Sequence, residues 1–199
     1  MTQTSLSDVM LVQPSLFEDD RGCFAEVFSA RTFAEFGLPH SFVQDNYSRS
    51  RKGVLRGLHY QVGVQQGKLI RVLSGEVWDV AVDLRPNSPD FGRWAGFRLS
   101  PFNRKGELEL LWIPEGFAHG FLVLSETAEV TYKTTNFYEP SAERCLLWND
   151  PTLNVAWPLG MIDGGMPILS AKDALGKRFV EAELRKSKSA DVPSTSSSD

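Results

Sequence analysis

Short runs of β-branched and aromatic residues, cut apart by Gly, Pro, Asn and Asp, recur through most of the chain. Runs of this kind, with turn residues every ~8–12 positions, specify a sandwich or barrel of many short strands. The spacing predicts strands over 42–47, 54–61, 68–73, 77–84, 94–99, 109–113, 120–124, 129–136 and 144–148. In the run 77–84, Trp78, Val80, Val82 and Leu84 share one face, and Val77, Asp79, Ala81 and Asp83 the other. That alternation reads as a half-buried strand. Ser74-Gly75 just before it suits a tight hairpin turn. Helical pattern is confined to 30–36 and 171–175, the second with Ser170 as N-cap. Strands and helices do not alternate, which argues against a doubly wound parallel sheet.

The chain has 199 residues. Residues 1–184 are expected to form one domain. The tail 185–199 is Ser-rich, polar and without a period that could pack, so it is expected to be disordered. No apolar run approaches the ~20 residues of a membrane helix, so no membrane partner is expected. A net charge of −4 argues against a general nucleic-acid partner on electrostatic grounds. Cys23 and Cys145 form no CxxC pair and read as reduced thiols. The N-terminus carries no basic segment followed by a long apolar stretch, so cytoplasmic residence is the expectation. Neither GxGxxG nor GxxxxGK[ST] occurs, which removes the common dinucleotide and triphosphate cradles.

The chain has 3 histidines. His40 follows a proline in a loop and reads as incidental. His59 falls inside a predicted strand, and His119 just after a turn. Each is open to two readings: a satisfied core residue, or a general base if it faces a pocket. The face with Asp79 and Asp83 is either solvated or a polar barrel interior where a carboxylate orients a histidine. Arg21, Arg51, Arg56, Lys68 and Arg71 lie close to the strands, and a cluster of them would suit a diphosphate. Tyr132, Thr134, Asn136 and Tyr138 share one face by period two. That face is either an exposed sheet surface or a pocket wall that donates a proton and stacks a ring.

The segment PEGFAH resembles the second motif of the cupin superfamily of small jelly-roll barrels. The first cupin motif carries an HxH pair, and here the corresponding stretch is His59-Tyr60-Gln61. Metal sites of that kind want three or four converging nitrogen or oxygen ligands. The reading is therefore a mostly β, cupin-type jelly-roll sandwich with a few short peripheral helices and no metal. Six longer segments are more specific: FEDDRGCFAEVF, FVQDNYSRSRKGVLRGLHYQ, QGKLIRVLSGEVWDVAVDLR, IPEGFAHGFLVLSE, YKTTNFYEP and LLWNDPTLNVAWP. Together, over 12–176, they resemble the dTDP-4-dehydrorhamnose 3,5-epimerases, metal-independent isomerases of nucleotide-sugar biosynthesis.

The resemblance implies inversion of C3 and C5 of dTDP-4-keto-6-deoxy-D-glucose, giving dTDP-4-keto-L-rhamnose, with no cofactor. It implies His59 as base, Asp173 as the group that orients it, Tyr132 as acid and Lys68 as the stabiliser of the enolate. Arg56 and Arg21 would hold the diphosphate, with Lys172 beside them. Gln44 and Asn46 would contact the nucleotide or sugar, and Tyr138 would lie against the substrate. His119, with Asp79, would support the site from within the barrel. Phe17, Arg21 and Glu26 would reach into the neighbouring subunit of a homodimer with exchanged N-terminal strands.

Arg56 and His59 are three apart and would face opposite ways in a regular strand. Gly57 between them predicts a bulge. The segment SPFNRKGELELLWIPEG is longer than the family's usual link and predicts a larger hairpin. Tyr47 stands where many members have histidine. The alternative within the same chemistry is a single-site C3 or C5 epimerase of a related dTDP-, GDP- or CDP-linked sugar. A non-catalytic binding module would have lost one of His59, Lys68, Tyr132 or Asp173, and all are present. A metal-dependent cupin enzyme would want the missing HxH.

Overall fold

The computed structural model describes residues 1–184; the tail 185–199, expected to be disordered, lies outside the described residues. The strands are β1 (Thr2–Gln3), β2 (Met10–Val12), β3 (Phe17–Asp19), β4 (Gly22–Phe24), β5 (Gln44–Arg51), β6 (Leu55–Gln61) and β7 (Lys68–Ser74). They continue as β8 (Val77–Asp83), β9 (Trp94–Leu99), β10 (Leu110–Ile113), β11 (Phe117–Val123), β12 (Thr127–Thr134) and β13 (Glu143–Cys145). Helix α1 (Ala30–Glu35) and the single turn α2 (Ala171–Ala174) are peripheral. Ser170 caps α2 as its sequence predicts, its hydroxyl accepting from the Asp173 N–H.

Two antiparallel sheets face each other, ordered β1-β2-β10-β7-β12-β5 and β13-β6-β11-β8-β9. The small ribbon β3-β4 stands apart from both. Between the sheets, Ile70, Val72, Leu111, Ile113, Ala128 and Val130 meet Val77, Ala81, Phe117, Phe121 and Val123. Leu6 and Val9 join this core from the N-terminal arm, which is tied down by the Ser7 N–H and hydroxyl on Asp90 Oδ2 at 2.9 and 2.6 Å. Full burial of a side chain of this size stabilises by about 1.5–3 kcal/mol.

The outer face of the five-stranded sheet is covered as well. Leu55, Leu58, Val80, Val82 and Leu122 pack under Leu146, Trp148, Leu153, Trp157 and Ile162 of the C-terminal segment. This corrects the half-buried reading of 77–84. Every residue of β8 except Trp78 is buried, because one face meets the opposite sheet and the other the C-terminal segment. The Ser74-Gly75 hairpin is also corrected. β7 and β8 lie in different sheets, so this turn is a crossover. Gly75 is needed there: its φ is +77°, and a Cβ would lie 2.1 Å from the Thr127 carbonyl oxygen.

The link 100–109 also passes between the sheets, from β9 to β10. Its predicted hairpin is reduced to one antiparallel bridge, Phe102 with Leu108, closed by the Asn103 N–H donating to the Glu107 carbonyl and the Glu107 N–H to Asn103 Oδ1. The strand predicted over 120–124 starts earlier, at Phe117, so His119 lies inside it. The strand predicted over 144–148 is Glu143–Cys145, after which the Leu146 N–H donates to the Leu58 carbonyl and the chain leaves the sheet. No helix among the described residues is long and apolar enough to cross a membrane.

Candidate active site

The space between the sheets divides into an apolar part and a polar part. The inner face of β5 decides where. Its alternating residues Gln44, Asn46, Ser48 and Ser50 are the less exposed set, while Asp45, Tyr47, Arg49 and Arg51 are more exposed, Tyr47 still contributing to the cavity lining. A polar strand facing inward cannot join an apolar core without losing its water. The sheets instead enclose a cavity of about 380 Å³, walled by Gln44, Asn46, Ser48, Lys68 and Tyr132 of the six-stranded sheet and by Arg56, His59, Gln61, His119 and Phe121 of the other. Tyr138 and Glu143 complete the wall.

The predicted bulge in β6 is present. Pairing with β11 runs His59 to His119 and Arg56 to Phe121, so three steps on β6 match two on β11. Arg56 and His59 thereby reach the same cavity. The strands approach closely at this point: a Cβ on Gly57, whose φ is +118°, would lie 2.5 Å from Gly120 Cα. The Gly57–Leu58 peptide is cis.

His59 Nε2 lies 2.6 Å from Asp173 Oδ1. The same carboxylate accepts from the Gly57 N–H at 3.3 Å and from the Ser170 hydroxyl at 2.6 Å. Burial of Asp173 works against its charge, but the bonds from His59, Ser170 and Gly57 outweigh it and hold the carboxyl below the usual carboxylate range. An ionised partner on Nε2 makes that nitrogen the proton donor and leaves Nδ1 with a lone pair. Cys145 is the cross-strand partner of His59, and its sulfur is 4.0 Å from Asp173 Oδ1. Burial pushes its thiol up to about 12, with the Asp173 charge adding to the shift.

Across the cavity, burial raises the Tyr132 phenol and Glu143 adds to it, against an opposing effect of Arg56. Tyr132 is therefore a neutral proton donor at neutral pH. Lys68 is buried, and burial lowers its ammonium to about 8, while the carboxylates of Asp79 and Glu143 hold it up. His119 Nε2 lies 2.9 Å from each oxygen of Asp79, which has no exposed surface. The solvated reading of the Asp79 face is thus overturned, although Asp83 on the same face binds Arg85 and Ser88 instead. Arg56 Nε donates to Ser50 Oγ at 3.0 Å. Gln44 donates to Asn46 at 2.8 Å and accepts from the Tyr138 N–H at 2.9 Å.

Some predicted residues lie elsewhere. Phe17 and Arg21 sit on or between the exposed strands β3 and β4, Glu26 follows them, and none lines the cavity of its own chain. Arg21 pairs with Asp19. β1 pairs with β2, and β2 with β10, of the same chain. Lys172 is absent from the wall and pairs with Glu143 at its edge. Arg71 and Arg51 alternate away from the inward residues of their strands. Asn136 falls beyond the end of β12, and its amide donates to Gln65 and Glu115. Glu143 was not singled out by the sequence, yet it accepts from the Tyr138 hydroxyl at 2.5 Å and faces the cavity. Starting the last strand one residue earlier would have put Glu143 on one face with Cys145.

A sequence model of the family described as dTDP-4-dehydrorhamnose 3,5-epimerase matches residues 3–181. An enzyme of that name from Pseudomonas aeruginosa is 55% identical over 183 residues, covering 92% of this chain and 97% of its own. The crystal structure of dTDP-6-deoxy-D-glucose-3,5-epimerase from Legionella pneumophila, in complex with dTDP-4-keto-L-rhamnose, superposes with a TM-score of 0.84. It is 44% identical, and the match covers 94% of this chain and 97% of that one. A 3'-monoepimerase from Streptomyces bikiniensis, in complex with dTDP-quinovose, has a TM-score of 0.78 at 30% identity, with 90% and 88% covered.

Proposed function

The chain belongs to the dTDP-4-dehydrorhamnose 3,5-epimerase family, and from that premise we propose that it inverts C3 and C5 of dTDP-4-keto-6-deoxy-D-glucose. The C4 ketone makes the protons on C3 and C5 acidic, since loss of either leaves an enolate. His59 Nδ1 takes the proton, and Asp173 fixes the ring and stabilises the imidazolium that forms. The Lys68 ammonium stabilises the enolate oxygen. The Tyr132 hydroxyl returns a proton to the opposite face, and solvent then resets both groups before the second carbon reacts. The substrate's own carbonyl is the electron sink, so no cofactor enters. Arg56 holds the diphosphate, with Gln44, Asn46 and Tyr138 along the nucleotide sugar and Lys172 at the edge.

One observation carries this reading: a hydrogen-bonded histidine and a neutral, half-buried tyrosine line one cavity from opposite sheets. Groups so opposed suit removal of a proton from one face and return to the other. The working enzyme is a homodimer in this proposal. Phe17 and Phe24 are 63% and 70% exposed on a ribbon with no contact to its own cavity, as a segment that inserts beside a partner's cavity would be. Arg21 and Glu26 would complete the partner's site. Cytoplasmic residence follows from the substrate, a charged diphosphate sugar that does not cross membranes unaided.

Proton NMR of dTDP-4-keto-6-deoxyglucose with the enzyme in deuterated water tests the proposal. Deuterium is expected at both C3 and C5. Entry at one carbon alone would make the chain a single-site epimerase, the chemistry named for the Streptomyces relative. Exchange at neither would overturn the reading.

A further inference from the structure

The catalytic pair of the proposed reaction has a neighbour that the reaction does not use. Cys145 stands beside His59 in strand register, and the donor atoms of His59, Cys145 and Asp173 all lie within 4.8 Å of one another. We propose that these three side chains form a binding site for a soft divalent transition-metal ion such as Zn2+, and that the ion inhibits the enzyme. The inhibition rests on the function proposed above; the site does not.

Nitrogen, thiolate sulfur and carboxylate oxygen are the donors that Zn2+ takes, three of them from the protein where a fourth position stays open. Bond lengths of about 2.0–2.3 Å at tetrahedral angles put ligand atoms roughly 3.3–3.7 Å apart. The distances here straddle that range, with Nε2 to Oδ1 at 2.6 Å and Sγ to Oδ1 at 4.0 Å. The third distance is within 4.8 Å, so rotation of the side chains would have to bring all three onto one ion. β13, which carries Cys145, is an edge strand of three residues, and the His59 side chain is 32% exposed, so an ion can enter. The other pair, His119 with Asp79, is held between strands and belongs to no such group among the described residues.

The proton balance explains the blockade. Binding releases the thiol proton to solvent. The metal takes the lone pair of Nε2, and the single proton of the neutral ring then resides on Nδ1. That is the nitrogen the proposed reaction needs free. A metal on the Asp173 side thus disables the base without filling the sugar cavity.

The test uses the full chain with Cys23, the other thiol, replaced by Ser. Titration with Co2+ is expected to give a sulfur-to-metal charge-transfer band in the near ultraviolet, absent when Cys145→Ser is added. Zn2+ is expected to inhibit the Cys23→Ser protein, with EDTA restoring the rate. In the double variant, roughly tenfold more Zn2+ is required for the same fractional loss, since losing a ligand costs no less than losing a residue that supports one. No charge-transfer band, or a band that survives Cys145→Ser, would overturn the site. A band with no inhibition, or equal Zn2+ sensitivity in the two proteins, would overturn the blockade. A protein with the band but no epimerase activity before metal is added keeps the site and sinks the functional reading instead.

Discussion

His59 and His119 are cross-strand partners, and each holds an aspartate. Their surroundings differ. His119 reaches both oxygens of Asp79, which lies on the adjacent strand, and the side chains are 7% and 0% exposed. His59 reaches one oxygen of Asp173, which comes from α2 outside the sheets, and its own side chain is 32% exposed. The second oxygen of Asp173 is held by Ser170. One pair is therefore locked inside the sandwich, and the other is propped from outside with an open side toward the cavity. A proton-transfer group must meet its substrate and exchange with solvent, which is the ground for proposing His59 and not His119 as the base.

The largest effect is expected from His59→Asn. Proton exchange at both carbons should fall by about 10³-fold, within the usual contribution of a positioned base. Affinity for dTDP, measured by calorimetry, should change little. Comparable loss in His119→Asn with His59 intact would erase the distinction between the pairs. Asp173→Asn comes next, at about 10²-fold in turnover, because an amide on Nε2 no longer selects the productive tautomer. Deuterium exchange in this variant should fall together with net epimerisation.

His119→Asn should act mainly on the fold. It leaves a buried carboxylate with fewer partners, which costs about 1–3 kcal/mol. A melting temperature lowered by several degrees is expected, with turnover down by less than about tenfold. An unchanged melting temperature together with a large loss of turnover would place His119 among the reacting groups.

Each strand from β5 to β12 overlaps a predicted run of β-branched and aromatic residues, but the run 42–47 meets only the first half of β5, whose remaining residues Ser48–Arg51 are polar and carry no such run. The N-terminal strands, of two or three residues each, are too short to carry a period. Ser74-Gly75 signalled a reversal correctly, but a turn dipeptide does not report which sheet the next strand joins. Val77–Leu84 misled because one inner face carries Asp79 and Asp83, whose partners His119, Arg85 and Ser88 come from other positions in the chain. The bulge at Gly57 was legible from a conflict of spacing between Arg56 and His59. The pairing of His59 with Asp173, 114 residues apart, had no local signal and came from resemblance alone. Glu143 escaped because β13 is short and begins one residue before the run 144–148 that predicts it.

The smallest effect concerns what the locked pair does for the open one. Lys68 is lowered to about 8 by burial, and Asp79 is the first of the charges that hold it up. In its proposed role Lys68 must be charged to stabilise the enolate, so the rate should fall as pH rises through about 8. Lys68→Arg should remove that alkaline fall, because a guanidinium keeps its proton. Asp79→Asn should move the fall to lower pH, since one support of the ammonium is gone. The sign for stability is opposite. Between about 8 and the ordinary 10.5, the unfolded chain binds the Lys68 proton and the folded one does not. This group's contribution to stability therefore rises with pH across that window. Urea unfolding of the wild type and of Lys68→Met at pH 8 and pH 10 reads that difference directly. An alkaline fall unmoved by Asp79→Asn would leave Asp79 as a partner for His119 alone, and the two pairs would then share nothing but their residue types.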